Sequence, residues 1–232
     1  MLDFILNNLL DFLYIIIIYF ISLTVHEFAH GFVAYKLGDP TAKDSGRLSL
    51  NPIRHLDPVG LVMMVLCRFG WAKPVPVNPN YFKNPKKGMM LTAIAGPASN
   101  LILAFISAFF AQFTHICLYM AAQNNHRGFT EFFAVTATVF TLMSAINIGL
   151  AIFNLIPVYP LDGSRVLGYF MPNSFDRFMV KYGTYIYIAF FVVLLLTDVV
   201  SDAIWFVEEA ILGLFAEVWY KPAEGLATLL FK

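Results

Sequence analysis

Four long apolar segments constrain this chain more than any other feature of its sequence. They occupy approximately residues 12–35, 89–113, 132–156 and 182–200. Because a helix rises about 1.5 Å per residue, each segment can cross the roughly 30 Å hydrocarbon core of a bilayer. The composition agrees, since 59% of the residues are hydrophobic and only 13% are charged, as is typical of multi-pass membrane proteins. The sequence therefore predicts an all-α polytopic membrane protein with about four transmembrane helices.

The stretch between the first two segments, about residues 38–80, has a different character. It is rich in proline, glycine and asparagine, residues that interrupt helices and favour turns. Its one apolar run, 59–69, is too short to span a bilayer. We therefore expect a small β-rich hairpin or a re-entrant segment here, associated with the membrane face of the bundle.

The sequence leaves two arrangements open for the last 32 residues. Residues 1–200 are predicted to form the membrane core, and 201–232 to follow it. Within this tail, 203–218 is apolar but interrupted by glutamates, which suits a helix lying at the membrane interface. A fifth span is the alternative, and it would reverse the side of the C-terminus.

Basic residues predict the orientation in the membrane. The region 36–87 carries nine of the fifteen lysines and arginines, whereas the loop 112–131 carries only Arg127. The positive-inside rule then places 36–87 in the cytoplasm and the N-terminus outside, in a cell (inner) membrane. The formal net charge is zero, so the overall charge gives no reason to expect a nucleic-acid partner.

The first apolar segment contains an ionisable motif, His26-Glu27-Phe28-Ala29-His30. Such residues are costly inside a bilayer and mark functional sites. Positions i and i+4 share one helix face, so both imidazoles can bind one cation. Glu27 points about 100° away from His26, which suits contact with a metal-bound water. The alternative is a pair of buried histidines satisfied by hydrogen bonds, but Glu27 would still need a partner.

A third ligand is expected, because catalytic zinc sites usually have three protein ligands and one open position. Under the predicted topology His115 and His126 lie on the wrong side of the membrane. Asp162 lies in a Pro- and Gly-containing segment that unwinds the cytoplasmic end of the third span, at the depth of the two histidines. It is the preferred ligand, although on local evidence an Asp-Gly pair is equally a turn.

Three further polar residues invite interpretation. Asn154 lies two helical turns before Asp162, so its amide could donate to a developing oxyanion, or it could form an interhelical hydrogen bond. His55, beside charged neighbours in a loop, fits a structural or substrate-contacting role and is left out of the metal site. The sequence does not decide whether Asn100 approaches the site.

The HExxH motif and the segment Asn154–Gly163 together resemble the site-2 protease family of intramembrane zinc metalloproteases, of the compact prokaryotic type. Both signature elements match in order and spacing, and 51–60 and 96–100 also look like segments of compact members. The resemblance covers about residues 22–165. It implies hydrolysis of peptide bonds in transmembrane protein substrates within the lipid bilayer, as in regulated intramembrane proteolysis, with Zn²⁺ as cofactor.

Zinc on His26, His30 and Asp162 with Glu27 as general base would suit this chemistry. A catalytically silent adaptor that binds membrane helices is the alternative, but an intact Glu27 argues against it. A metal transporter is disfavoured because the other half of the bilayer lacks acidic residues along a path. The oligomeric state stays open, with a homo-oligomer as one alternative.

Overall fold

The computed structural model describes residues 2–67, 70–124 and 127–231, and this part of the chain is largely helical. Its α-helices are α1 Leu2–Lys36, α2 Thr41–Asp44, α3 Pro58–Cys67, α4 Pro85–Gln123, α5 Arg127–Leu155, α6 Asp162–Phe170, α7 Asn173–Leu196 and α8 Val199–Leu230. Two short 3₁₀ helices occupy Pro52–Arg54 and Pro79–Tyr81. The predicted all-α character is confirmed.

Within the described ranges, four helical segments are long and apolar enough to cross a membrane, namely Phe12–Lys36, Pro85–Gln123, Arg127–Leu155 and Arg177–Leu194. The prediction of about four membrane helices is therefore confirmed. The fourth segment ends earlier than the expected residue 200, because the extended backbone of Thr197 interrupts the helix. The tail forms α8, and whether α8 lies on the membrane or crosses it stays a prediction.

The expected small sheet after the first span is wrong for the described residues. They contain no strand, and only an isolated antiparallel bridge joins Leu56 to Ala72. The apolar run forms the 10-residue helix α3, and the structure gives a re-entrant segment no support. Arg68, Phe69 and His126, which entered the sequence predictions, lie outside the described residues.

The error has a physical cause in the Asn-Pro and Asp-Pro pairs of this region. These residue types favour turns, but proline is also favoured at the first position of a helix, after an Asn or Asp cap. The side chain of Asp57 accepts hydrogen bonds from the backbone N–H groups of Val59 and Gly60 at 2.9 and 3.0 Å. Asn51 and Asn78 cap the two 3₁₀ helices in the same way.

The chain divides into two compact units. We call Phe20–Asn100 with Leu150–Ala203 the site unit, because it contains His26, His30, Asn154 and Asp162. The remaining residues form the aromatic unit, in which rings of α4 and α8 contact one another in edge-on and tilted arrangements. Outward-facing apolar side chains are abundant in the membrane helices of both units, as expected for contact with lipid; they include Ile17, Ile102, Phe132, Ile188 and Val192.

Candidate metal centre

The three residues predicted as metal ligands meet at one point in the site unit. The Nε2 atoms of His26 and His30 are 3.0 Å apart, and the Oδ2 atom of Asp162 is 3.2 Å from each of them. Among the described residues this is the one group of three or more His, Cys, Asp and Glu side chains arranged to hold a metal ion. A tetrahedral zinc ion with bonds of about 2.0–2.1 Å separates its ligand atoms by about 3.3 Å, so the triangle has the size zinc requires.

The three side chains come from the middle of one helix and the first residue of another. His26 and His30 lie one turn apart on α1, which places both imidazoles on one face. Asp162 is the first residue of α6 and follows the non-helical segment after α5. Gly163 makes this junction possible, because a Cβ there would lie 2.5 Å from the Ile156 carbonyl oxygen.

Helix α4 orients both imidazoles through hydrogen bonds to their Nδ1 atoms. The Nδ1 atom of His30 donates to the backbone carbonyl of Thr92 at 2.7 Å, and Nδ1 of His26 donates to the side-chain oxygen of Asn100 at 2.7 Å. A carbonyl oxygen can only accept, so the proton of a neutral imidazole lies on Nδ1. Each Nε2 atom then directs its lone pair toward Asp162, the arrangement that metal-ligating histidines adopt.

The triangle consequently consists of three hydrogen-bond acceptors with no donor between them. Oδ2 of Asp162 is buried and has no hydrogen-bond partner. A buried anion facing two lone pairs is costly unless a cation lies among them. The donor set therefore fits a zinc ion.

Gly96 provides the space in which the imidazoles meet. A Cβ atom at this position would lie 2.5 Å from Nε2 of His30 and 2.6 Å from Cε1 of His26. Such distances are far below the van der Waals contact of about 3.5 Å. The absence of a side chain at position 96 therefore leaves room for both candidate ligands.

Glu27 lies beside the triangle and is not part of it. Its Oε2 atom accepts a hydrogen bond from the backbone N–H of Val75 at 2.8 Å. Glu27 and the three candidate ligands line one cleft of about 390 Å³. A carboxylate next to an open metal position is suited to accept a proton.

The remaining predicted residues occupy distinct places. Asn154 lines the same cleft, and its amide nitrogen donates to the carbonyl of Leu150, one turn earlier in α5, at 2.9 Å. His55 is 2% exposed and contacts the Ser49 carbonyl through Nε2 at 2.7 Å. His115 contacts Thr141 in the aromatic unit.

Sequence reasoning missed the supporting roles of Thr92, Gly96 and Val75, and it left the approach of Asn100 to the site undecided. Three of them stand at positions i, i+4 and i+8 of α4, which is the spacing of a single helix face. The available signal was the four-residue spacing of Gly96 and Asn100, which places a residue without a side chain and a polar residue on the same face of α4. Thr92 and Val75 carried no side-chain signal, because both act through the backbone.

Comparison with known proteins agrees with this geometry. The model of peptidase family M50 matches residues 14–197. YwhC of Bacillus subtilis, provisionally named a zinc metalloprotease, is 40% identical over 210 residues, covering 89% of this chain and 92% of that protein. The zinc metalloprotease MJ0392 of Methanocaldococcus jannaschii is 29% identical over 163 residues, 70% of this chain and 36% of that protein. No solved structure is significantly similar.

The family match covers most of the chain, including α1, α4, α5 and α6. The relative from Bacillus subtilis aligns over nearly the whole length of both proteins. With four membrane-spanning helices and a donor set suited to zinc, the chain belongs to peptidase family M50, the site-2 protease family of zinc metalloproteases.

Proposed function

We propose that this chain is an intramembrane zinc endopeptidase in which His26, His30 and Asp162 hold the metal and Glu27 is the general base. It acts on transmembrane protein substrates in the lipid bilayer. The observation that carries the proposal is the triangle formed by two imidazole nitrogens of α1 and one carboxylate oxygen of α6, with a separate carboxylate in the same cleft.

Zinc bound there would lower the pKa of its water toward about 7 and polarise the scissile carbonyl. Glu27 accepts the proton that the water loses as its oxygen bonds to the carbonyl carbon. The same carboxyl then gives the proton to the amide nitrogen as the C–N bond breaks. Because Oε2 of Glu27 is held by Val75, its other oxygen performs both transfers.

Asn154 is proposed to stabilise the oxyanion that develops on the substrate carbonyl. Its position in the lining of the cleft supports this role. Its amide nitrogen donates to Leu150, so the side chain must rotate to reach the substrate. One oxyanion donor is typically worth about 3 kcal/mol in the transition state.

The metal centre is proposed to lie near the cytoplasmic face of the membrane. His26 and His30 occur in the second half of the first span, on the side of the basic region that begins at Lys36. The positive-inside rule assigns that region to the cytoplasm. Substrates would then be cut near the cytoplasmic end of their membrane helix.

The decisive variant is Glu27→Gln, which keeps the size of the side chain but removes its basicity. Purified protein in liposomes would be mixed with a single-span substrate, and cleavage and zinc content measured. We expect cleavage to fall by about two orders of magnitude or more, with zinc retained because no ligand is changed. Glu131→Gln, which alters an exposed acid of the aromatic unit, is the matched control.

Three outcomes would contradict the assignment. Wild-type cleavage by the Gln variant would exclude Glu27 as the base. Loss of zinc together with activity would make Glu27 a ligand. If the unmodified, zinc-loaded protein binds membrane helices and cuts none of them, the adaptor alternative holds.

A further inference from the structure

The segment Lys73–Asn78, here called the tethered segment, contacts the rest of the site unit through its backbone. Its Lys73 N–H donates to the carbonyl of His55 at 2.8 Å. Asn78 N–H donates to Oδ2 of Asp39 at 2.7 Å. Between these two ends, Val75 N–H donates to Oε2 of Glu27. Positions 74 and 76 are prolines, which have no N–H to donate.

The anchors at both ends are buried. His55 is 2% exposed and Asp39 is fully buried, and Asp39 also accepts from the backbone N–H of Thr41 at 3.0 Å. The guanidinium of Arg47 adds a contact by donating to the Lys73 carbonyl. These fixed ends hold the middle of the segment in place.

The middle of the segment rests directly on α1. Val75 is 8% exposed, and a Cβ added to Gly31 would lie 3.2 Å from Cγ1 of Val75. Gly31 follows Glu27 by one helical turn, so the Val75 side chain and N–H both contact the same face of α1. Pro76 in addition restricts Val75 to extended backbone. Val75 therefore presents its N–H to Glu27 at a fixed position.

We propose that the backbone N–H of Val75 is a positioning group for the general base. This inference rests on the proposed role of Glu27. A glutamate side chain has several rotatable bonds, and an unrestrained carboxylate samples orientations that cannot accept the water proton. Binding of Oε2 by one N–H leaves the second oxygen directed into the cleft.

The same contact could in principle act as a latch that blocks the base, and the two roles predict opposite effects. A latch must open, whereas the tethered segment is fixed at both ends by buried partners and contains two prolines. One N–H also occupies only one of the two carboxylate oxygens. Removal of the N–H should therefore slow turnover, whereas opening a latch would accelerate it.

The first test is Val75→Pro, which deletes the N–H at a position already flanked by proline. Since a hydrogen bond to a charged group is a strong one, we expect kcat to fall about ten- to hundredfold. KM for the membrane substrate and zinc content should stay near their wild-type values.

A second variant separates the lost N–H from any effect of the proline ring. The α-hydroxy analogue of valine, introduced at position 75 by nonsense suppression, replaces the amide with an ester and preserves the side chain. A lowered kcat with normal zinc content and thermal unfolding would support the proposal. In a Glu27→Gln background the ester should cause no further loss of the residual rate, because the group it positions is already inactive.

Every other result for the ester variant overturns the inference. Unchanged turnover would show that the N–H has no catalytic effect, and raised turnover would show a latch. Loss of zinc or of folding would assign the contact to structure alone. These failures are distinct from failure of the proposed function, which would appear as wild-type cleavage by the Glu27→Gln protein.

Discussion

Helix α4 is continuous from Pro85 to Gln123, yet its two halves carry different kinds of inward-facing residue. In the site unit, Thr92, Gly96 and Asn100 form one face that contacts the candidate ligands. In the aromatic unit, Phe105 and its neighbours form ring contacts instead, as in the pair with Trp219 at 4.8 Å. The helix as a whole is long and apolar enough to cross a bilayer.

The difference shows how one membrane helix serves both chemistry and packing. The site half orients His26 and His30 by two hydrogen-bond acceptors and leaves space for both imidazoles at Gly96, which has no side chain. The aromatic half uses apolar area and tolerates changes of shape, because ring contacts are less directional. Substitutions in the first half should therefore affect the metal, and those in the second should affect stability.

The largest effect is expected for Gly96→Ala. The new Cβ would overlap both imidazoles, and displacement of reacting groups by about 1 Å commonly costs about 10²-fold in rate. Zinc content and cleavage should both be nearly lost. Gly213→Ala is the matched control, because a Cβ there meets no atom within 4 Å; it should keep zinc and activity. Full zinc and wild-type cleavage in Gly96→Ala would refute the proposed contact.

A smaller effect is expected for Asn100→Leu, which removes the acceptor for His26 Nδ1. Loss of such a supporting hydrogen bond typically weakens metal affinity about 10- to 100-fold. Competition with a chromogenic zinc chelator in detergent measures the change. Asn100→Asp retains an acceptor oxygen and should preserve most of the affinity. Equal zinc affinities in the Leu variant and the wild type would show that His26 needs no such support.

The smallest effect is expected for Trp219→Phe in the aromatic unit. It removes the indole N–H that donates to the Phe105 carbonyl at 2.9 Å and keeps an aromatic ring. The free energy of unfolding should fall by about 1 kcal/mol, seen as a thermal midpoint lower by a few degrees with zinc and activity unchanged. Reduced zinc content in Trp219→Phe would show that the aromatic half of α4 also affects the metal site.

The sequence was sufficient for features that depend on local pattern. Hydropathy identified four membrane helices, because the cost of burying polar groups in a bilayer is summed over consecutive residues. The i, i+4 spacing of His26 and His30 defined a common helix face. Peptidase family M50 was recognisable from the same motif together with Asn154–Gly163.

The prediction from local sequence pattern was wrong where the same pair of residues is found in two kinds of structure. Asn-Pro and Asp-Pro pairs occur both in turns and at helix starts, and here they cap helices, as Asp57 does for α3. The choice depends on whether the following residues bury an apolar face against neighbouring elements. Spacing along the chain does not contain that information.

The supporting contacts of the site were decided by tertiary structure alone. His26 and Asn100 are 74 positions apart, and Glu27 and Val75 are 48 apart. Such contacts depend on how helices and loops pack, and a backbone N–H leaves no mark in the sequence. The sequence by itself determined which residues can bind zinc and accept a proton, because those capacities belong to side-chain chemistry. Tertiary structure determined how they are held, because orientation comes from partners distant in the chain.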